Sequence, residues 1–157
     1  MKITICRRSH FNAAHKLYNK SWSKEKNLEV FGKCSYENYH GHNYELIVKL
    51  YGEINEETGM VMDLSDLKKI IKREVEDKLD HKNINLDIDY FQDKIPSTEN
   101  LAIYIWNRLN NAIKIDCKLT VVLYETHRNY VEYSGKFNID SKIFEYLEFL
   151  TLIFNDL

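Results

Sequence analysis

A chain of 157 residues, 44% apolar and 13% aromatic, has the length of one ordinary globular domain and argues against two. Its 22 basic and 24 acidic residues leave a formal net charge of −2, so bulk charge gives no support to a nucleic-acid or anionic-membrane partner. No run approaches the roughly 20 apolar residues of a membrane span. Three scattered cysteines, Cys6, Cys34 and Cys117, with nothing like a secretory signal before them, point to a reducing, cytoplasmic compartment.

Met1 to Ile5 is too short for a signal core, runs straight into Arg7 and Arg8, and reads as a strand. From His42 to Leu50 the residues alternate, with His42, Tyr44, Leu46, Val48 and Leu50 sharing one face of a second strand. A turn over Glu56-Glu57-Thr58-Gly59 follows. Asp63 then caps a helix from about Leu64 to Leu79, with Leu64, Leu67, Ile71 and Val75 at helical spacing. Pro96, Ser97 and Thr98 start a second helix carrying Leu101, Ile105, Leu109 and Ile113 along one side. Lys118–Tyr124 and Asn129–Tyr133 form a hairpin around His127 and Arg128, and a third helix is expected from about Ser141 to Phe154. The order strand, strand, helix, helix, strand, strand implies an α+β fold with helices over one sheet face. One proline, five glycines and no repeat mark no linker, so residues 1–135 are expected to form one domain with 136–157 as a helical extension.

Residues two apart on a strand point to the same side about 6.6 Å apart, so His40 and His42 can converge on one metal ion. Taken alone, His-x-His reads equally as solvated or hydrogen-bonded histidines. His15, closing Phe11-Asn12-Ala13-Ala14-His15, offers a third imidazole, and Ala13 and Ala14 are small enough for close packing against a neighbouring strand. Three neutral imidazoles leave a fourth zinc position open, as catalytic sites do, and a histidine-only set disfavours magnesium or calcium. Cys34 lies six residues before His40 beside Lys33, a cation of the kind that favours thiolate; an inert buried cysteine is the alternative. That inert reading is given to Cys6 and Cys117. Asp80-His81 places an acid beside a base, although such a pair also occurs as a plain polar helix end. Glu125, at a strand end, can accept hydrogen bonds from an amino-substituted ring or be merely solvated.

Together, Phe11-Asn12-Ala13-Ala14-His15, Cys34 with His40-Gly41-His42-Asn43-Tyr44, Gly59-Met60-Val61-Met62-Asp63-Leu64, Leu79-Asp80-His81-Lys82-Asn83, Ser97-Thr98-Glu99-Asn100 and Tyr124-Glu125-Thr126 resemble the 6-pyruvoyltetrahydropterin synthase family in order and spacing, over roughly residues 3 to 135. The resemblance implies a tunnelling fold whose subunits close a barrel as trimers or stacked hexamers, with sites between subunits. It implies that His15, His40 and His42 bind zinc, that Cys34 is the catalytic thiol and that Asp80 and His81 are its proton-relay partners. Glu125 would then anchor a pterin ring, with Thr98 and Glu99 lining its pocket. The implied substrate is 7,8-dihydroneopterin triphosphate, with no nicotinamide or flavin involved.

The family divides by product among 6-pyruvoyltetrahydropterin, a 6-carboxy compound of the queuosine pathway and 6-hydroxymethyldihydropterin for folate. Five residues between Cys34 and His40 resemble the pyruvoyl branch. Glu37, three residues before His40, resembles the base of the hydroxymethyl branch, and holding both residues resembles a mixed carboxy and folate branch. A solvated loop acid is the plain alternative for Glu37. Two other classes stand beside these: a non-catalytic metal or pterin-binding module, and a tunnelling-fold cyclohydrolase acting on GTP.

Overall fold

The structure, a computed structural model, describes residues 1–135. The expected terminal helix and the 136–157 extension lie outside the described residues.

Strand β1 (Lys2–His15) and strand β2 (His40–Glu53) pair antiparallel in one unbroken register, from Lys2 opposite Glu53 to His15 opposite His40. Strand β3 is the two-residue segment Lys82–Asn83, parallel to β1 at Ala13 and Ala14. Strand β4 (Cys117–Tyr124) pairs antiparallel with β2, and strand β5 (Tyr130–Tyr133) with β4, giving the order β3-β1-β2-β4-β5. The expected hairpin and strands are present, and both β1 and β2 extend beyond their expected limits. Sequence reasoning found only antiparallel pairs, whereas the sheet is mixed; a two-residue strand is too short to carry a period.

Alternation decides which way the sheet faces. Phe11, Ala13 and His15 on β1, Tyr44, Leu46, Val48 and Leu50 on β2, and Leu119, Val121 and Leu123 on β4 share one buried face. Fully burying a Leu, Val or Phe side chain contributes about 1.5–3 kcal/mol. A slip of one residue would turn all of these outward, so the register is strongly specified. That register also turns His40 and His42 inward, in phase with Tyr44. Cys6, Arg8, His10 and Glu45 stand on the opposite, open face. The expectation of an inert buried cysteine therefore fails for Cys6, which alternation exposes, and Cys117 is half-buried.

Helices cover the buried face. Asp63 caps α2 (Leu64–Ile71) by accepting from the Ser65 amide at 2.7 Å. The chain continues through a wider π turn over Lys72–Glu76 into α3 (Asp77–Leu79), so the expected helix from Leu64 to Leu79 is real but not uniformly α. Leu67, Ile71, Val75 and Leu79 reach the core, while Leu64, expected on the same stripe, is 43% exposed. The Arg108 side chain bonds the Glu74 carbonyl at 2.8 Å and its carboxylate at 2.7 Å, fastening the π turn to the long helix described below.

Two helices carry no periodic apolar stripe and escaped the sequence reading. In α1 (Lys24–Phe31), capped by Ser23, the sole buried residue is Asn27; Gly32, at φ 54°, ends it as only glycine does readily. In α4 (Ile84–Asp87) Asn83 is the cap. Helix α5 (Thr98–Ala112), capped by Ser97, buries Leu101, Ile105 and Leu109 as its spacing predicts, with Ile113 just beyond its end.

Candidate metal centre and active site

His15 ends β1 and His40 begins β2, and the register sets them opposite one another; His42 follows two residues along the same face. One ligand nitrogen from each of the three lies within 4.8 Å of the others. The ring centroids are 4.7 Å apart for His15 and His40, 5.0 Å for His15 and His42, and 5.0 Å for His40 and His42. Gly41, between the two ligands of β2, leaves room against the Ala13 carbonyl, 3.6 Å from where a Cβ would stand.

Three observations test whether these residues fit a metal ion. Among the described residues the Nε2 atoms of His40 and His42 are buried without any hydrogen-bond partner, although buried polar atoms are normally satisfied. His15 Nδ1–H donates to the Pro96 carbonyl at 2.8 Å, which leaves its Nε2 lone pair free, the arrangement usual for ligating histidines. The Glu125 carboxylate then stands 3.5 Å from that Nε2 and 3.7 Å from the Nε2 of His42. Acceptors aimed at one another are balanced by a cation between them. The site fits a metal ion.

Electrostatics favour the ligating form. Burial, reinforced by the neighbouring imidazoles, holds His15 below the ordinary histidine range even against its Pro96 bond and Glu125. Burial likewise lowers His40, with His42 adding to it. Tyr44, fully buried beneath the triad with its hydroxyl 3.5 Å from His15 Nδ1, is driven far above the usual phenol range by burial, then by Glu125 and Cys34, and stays neutral.

Glu125 lies just past β4, held by its amide bonding the Asn129 carbonyl at 3.1 Å. It lines a cavity of about 400 Å³ with Thr98, Glu99, Arg128, Asn129, Tyr130 and Val131. The structure thus brings together Glu125, Thr98 and Glu99 beside the three histidines. Cys34 sits half-buried in the 3₁₀ turn Gly32–Ser35, its carbonyl bonded by the Leu17 amide at 2.9 Å. Glu37 is exposed in the following loop.

Asp80 and His81 are placed differently. Asp80 accepts from the Asn12 amide at 2.8 Å and meets His81 Nδ1 at 2.9 Å. The Asn12 bond, ahead of His81, holds the Asp80 carboxyl below the usual carboxylate range, and His10 on the open face adds to this. His81 has φ 58°, a left-handed conformation uncommon outside glycine, and 79% of its side chain is exposed. Within one chain no hydrogen bond links the Cys34 thiol to either residue, and the Asp80-His81 pair is held at the sheet edge by the Asn12 backbone.

Sequence reasoning missed the Pro96 carbonyl, taking Pro96 only as a helix start, and gave Tyr44 no part at the metal. The alternation that buries Tyr44 in phase with His40 and His42 was signal enough for Tyr44. A backbone carbonyl carries no such signal.

Over the described residues, a mixed sheet covered by helices on one face, with a three-histidine cluster and a carboxylate at its end, defines an α+β domain with a pocket whose residues fit a metal ion. Comparison with known proteins narrows this. The family model described as 6-pyruvoyl tetrahydropterin synthase matches residues 4–136, and the chain belongs to that family. It is similar to the 6-pyruvoyl tetrahydrobiopterin synthase of Pongo abelii, 48% identical over 132 residues covering 84% of this chain and 91% of that one. It is also similar to the solved 6-pyruvoyl tetrahydropterin synthase of Caenorhabditis elegans, with TM-score 0.82 and 37% identity over 87% of this chain and 97% of that one. A dihydroneopterin monophosphate aldolase of Pyrococcus furiosus is 35% identical over 119 residues, 76% of this chain and 85% of that one.

Proposed function

We propose that this chain is a lyase that converts 7,8-dihydroneopterin triphosphate to 6-pyruvoyltetrahydropterin with loss of triphosphate, using zinc held by His15, His40 and His42. The observation that carries this is the three-histidine cluster facing Glu125 at 3.5 and 3.7 Å, in a chain 48% identical to a synthase of that name. Bound there, zinc would supply a Lewis acid to the hydroxyl groups of the substrate side chain.

The chain's own residues do the rest. The Pro96 carbonyl orients His15; Glu125 accepts hydrogen bonds from the amino-substituted pterin ring, with Thr98 and Glu99 along its cavity. Cys34 takes a proton from the carbon beside a side-chain hydroxyl and returns it elsewhere, the transfer an internal redox rearrangement requires. Asp80 fixes the His81 ring through Nδ1, leaving Nε2 to relay that proton. No hydrogen bond joins Cys34 to the Asp80-His81 pair within one chain, and the relay pair reaches Cys34 from a second copy, in a homotrimer or hexamer working in the cytoplasm.

A second reading rests on Glu37, which lies between Cys34 and His40, and on the similarity to a dihydroneopterin monophosphate aldolase. With Glu37 as the base, the side chain is cleaved to leave a hydroxymethyl pterin; a 6-carboxy product is the third possibility within this pocket. Incubating zinc-loaded protein with dihydroneopterin triphosphate and identifying the product by mass spectrometry separates the three. Recovery of unreacted substrate would refute the lyase assignment altogether, and tight pterin binding without turnover would mark a binding module.

A further inference from the structure

A second cleft, of about 820 Å³, has a lining that excludes Glu125. Its lining includes Lys16, which follows His15, and Tyr39, which precedes His40, so its inner end is joined by peptide bonds to two of the three histidines. At the first turn of α5, Thr98 and Glu99 line the Glu125 cavity while Asn100 lines this cleft. The histidines therefore adjoin both hollows, through Lys16 and Tyr39 in sequence and through Glu125 in space.

Three lysines, Lys16, Lys20 and Lys94, line the cleft against one carboxylate, Asp93. The backbone that carries two of them is held by amide side chains. Asn85 accepts from the Lys16 amide at 2.8 Å and donates to the Lys16 carbonyl at 3.0 Å. Asn27, wholly buried, accepts from the Asn19 amide at 2.7 Å and donates to the carbonyls of Asn19 and Ser23, each at 3.0 Å, which shapes the loop presenting Lys20. Among the described residues the ammonium groups have no full carboxylate partner: Lys94 rests 3.8 Å over the Tyr90 ring, Lys16 lies between the rings of Tyr18 and Tyr39, and Lys20 is 4.0 Å from a fully exposed Asp93. Cations held on an ordered loop and short of counter-charge suit an anion of high charge density.

We propose that this cleft binds the polyphosphate end of the substrate, with Lys16, Lys20 and Lys94 supplying the charge; the proposal rests on the pterin triphosphate reading above. The order in space matches the order of groups in that molecule. The ring lies at Glu125, the side-chain hydroxyls at the histidines and the triphosphate, at the far end of the side chain, among the lysines. Gripping the leaving group there also stabilises the negative charge it carries away.

The test uses inorganic tripolyphosphate and phosphate-free dihydroneopterin as separate probes of the zinc-loaded protein. In Lys20→Ala and Lys94→Ala, calorimetric Kd for tripolyphosphate and KM for the triphosphate substrate are expected to rise about tenfold each, as loss of a charge-assisted contact does. Dihydroneopterin affinity should stay unchanged, and Asp93→Asn should tighten tripolyphosphate. Unchanged tripolyphosphate affinity in both lysine variants, or equal loss of dihydroneopterin binding, overturns the assignment. Lysine-dependent tripolyphosphate binding in a wild-type protein that leaves the pterin triphosphate untouched would uphold the cleft and overturn the lyase reading instead.

Discussion

His15 donates its Nδ1 proton to the Pro96 carbonyl at 2.8 Å, a bond across 81 positions that ties the end of β1 to the start of α5 and aims the opposite ring nitrogen at His40 and His42. One contact thus joins the fold to the metal centre. His15→Ala should lower bound zinc from about one per chain by more than the 10–100-fold affinity loss that removing an outer partner alone causes. Elemental analysis after dialysis measures this. Chelation of the wild-type protein should also lower its Tm, since metal present at about 100 times its Kd stabilises the folded state by about 2.7 kcal/mol. Undiminished zinc in His15→Ala would remove it from the ligand set.

Arg108 is a structural counterpart remote from the chemistry. Its bonds to the Glu74 carbonyl and carboxylate join α5 to the π turn, and Arg73 and Arg108 together hold the Glu74 carboxyl below its ordinary range. Arg108→Ala leaves a largely buried carboxylate short of its partner and should cost about 1–3 kcal/mol in urea unfolding. Zinc content should not change.

The period of each strand made the buried face readable, and with it the inward turn of His42 beside Tyr44. The apolar stripes of α2 and α5 were readable for the same reason. Helix α1 was not, because its single buried residue is Asn27, a polar group whose role is to bond the loop before it. The convergence of His15 on the other two histidines depends on β1 running without a break to residue 15, opposite His40, which a strand expected only over Met1 to Ile5 could not establish. The residues offered His15 as a candidate and the resemblance matched it to a ligand; the register supplies the physical cause.

Asp80 makes folding sensitive to acid. The Asn12 amide depresses its carboxyl below the unfolded value, so its contribution is fully present above the ordinary carboxylate range, near pH 4, and is lost as pH falls through the lower folded value. Asp80→Asn should therefore lower Tm at pH 7, and the difference from wild type should narrow as pH is taken down to about 3. A difference that stays constant over that range would mean that the carboxylate charge contributes nothing.

If the relay pair comes from a second copy, two inactive proteins should repair one another. Cys34→Ala and His81→Ala variants, unfolded together and refolded in equal amounts, should recover about a quarter of wild-type activity, because half the sites draw an intact Cys34 and half of those an intact His81. Refolding each variant alone should recover none. Sites contained within one chain would give no recovery from the mixture either, and would return the relay to Cys34's own subunit.

Cys34 and Glu37 are separated by two residues, and under the proposed chemistry they are rival bases for the same substrate side chain. Removing a positioned acid–base group costs about 10²–10⁴-fold in rate. Cys34→Ala should accordingly suppress the pyruvoyl product by that factor, while any remaining turnover passes through Glu37 and yields the hydroxymethyl compound. Glu37→Ala should leave pyruvoyl formation within about threefold of wild type, since the thiol route does not use it. The double variant should make neither product yet keep its zinc, because both substitutions lie outside the histidine set. Mass spectrometry of the four proteins' products reads the partition directly. Hydroxymethyl product from the wild type, lost in Glu37→Ala and indifferent to Cys34→Ala, would transfer the role of base to the carboxylate.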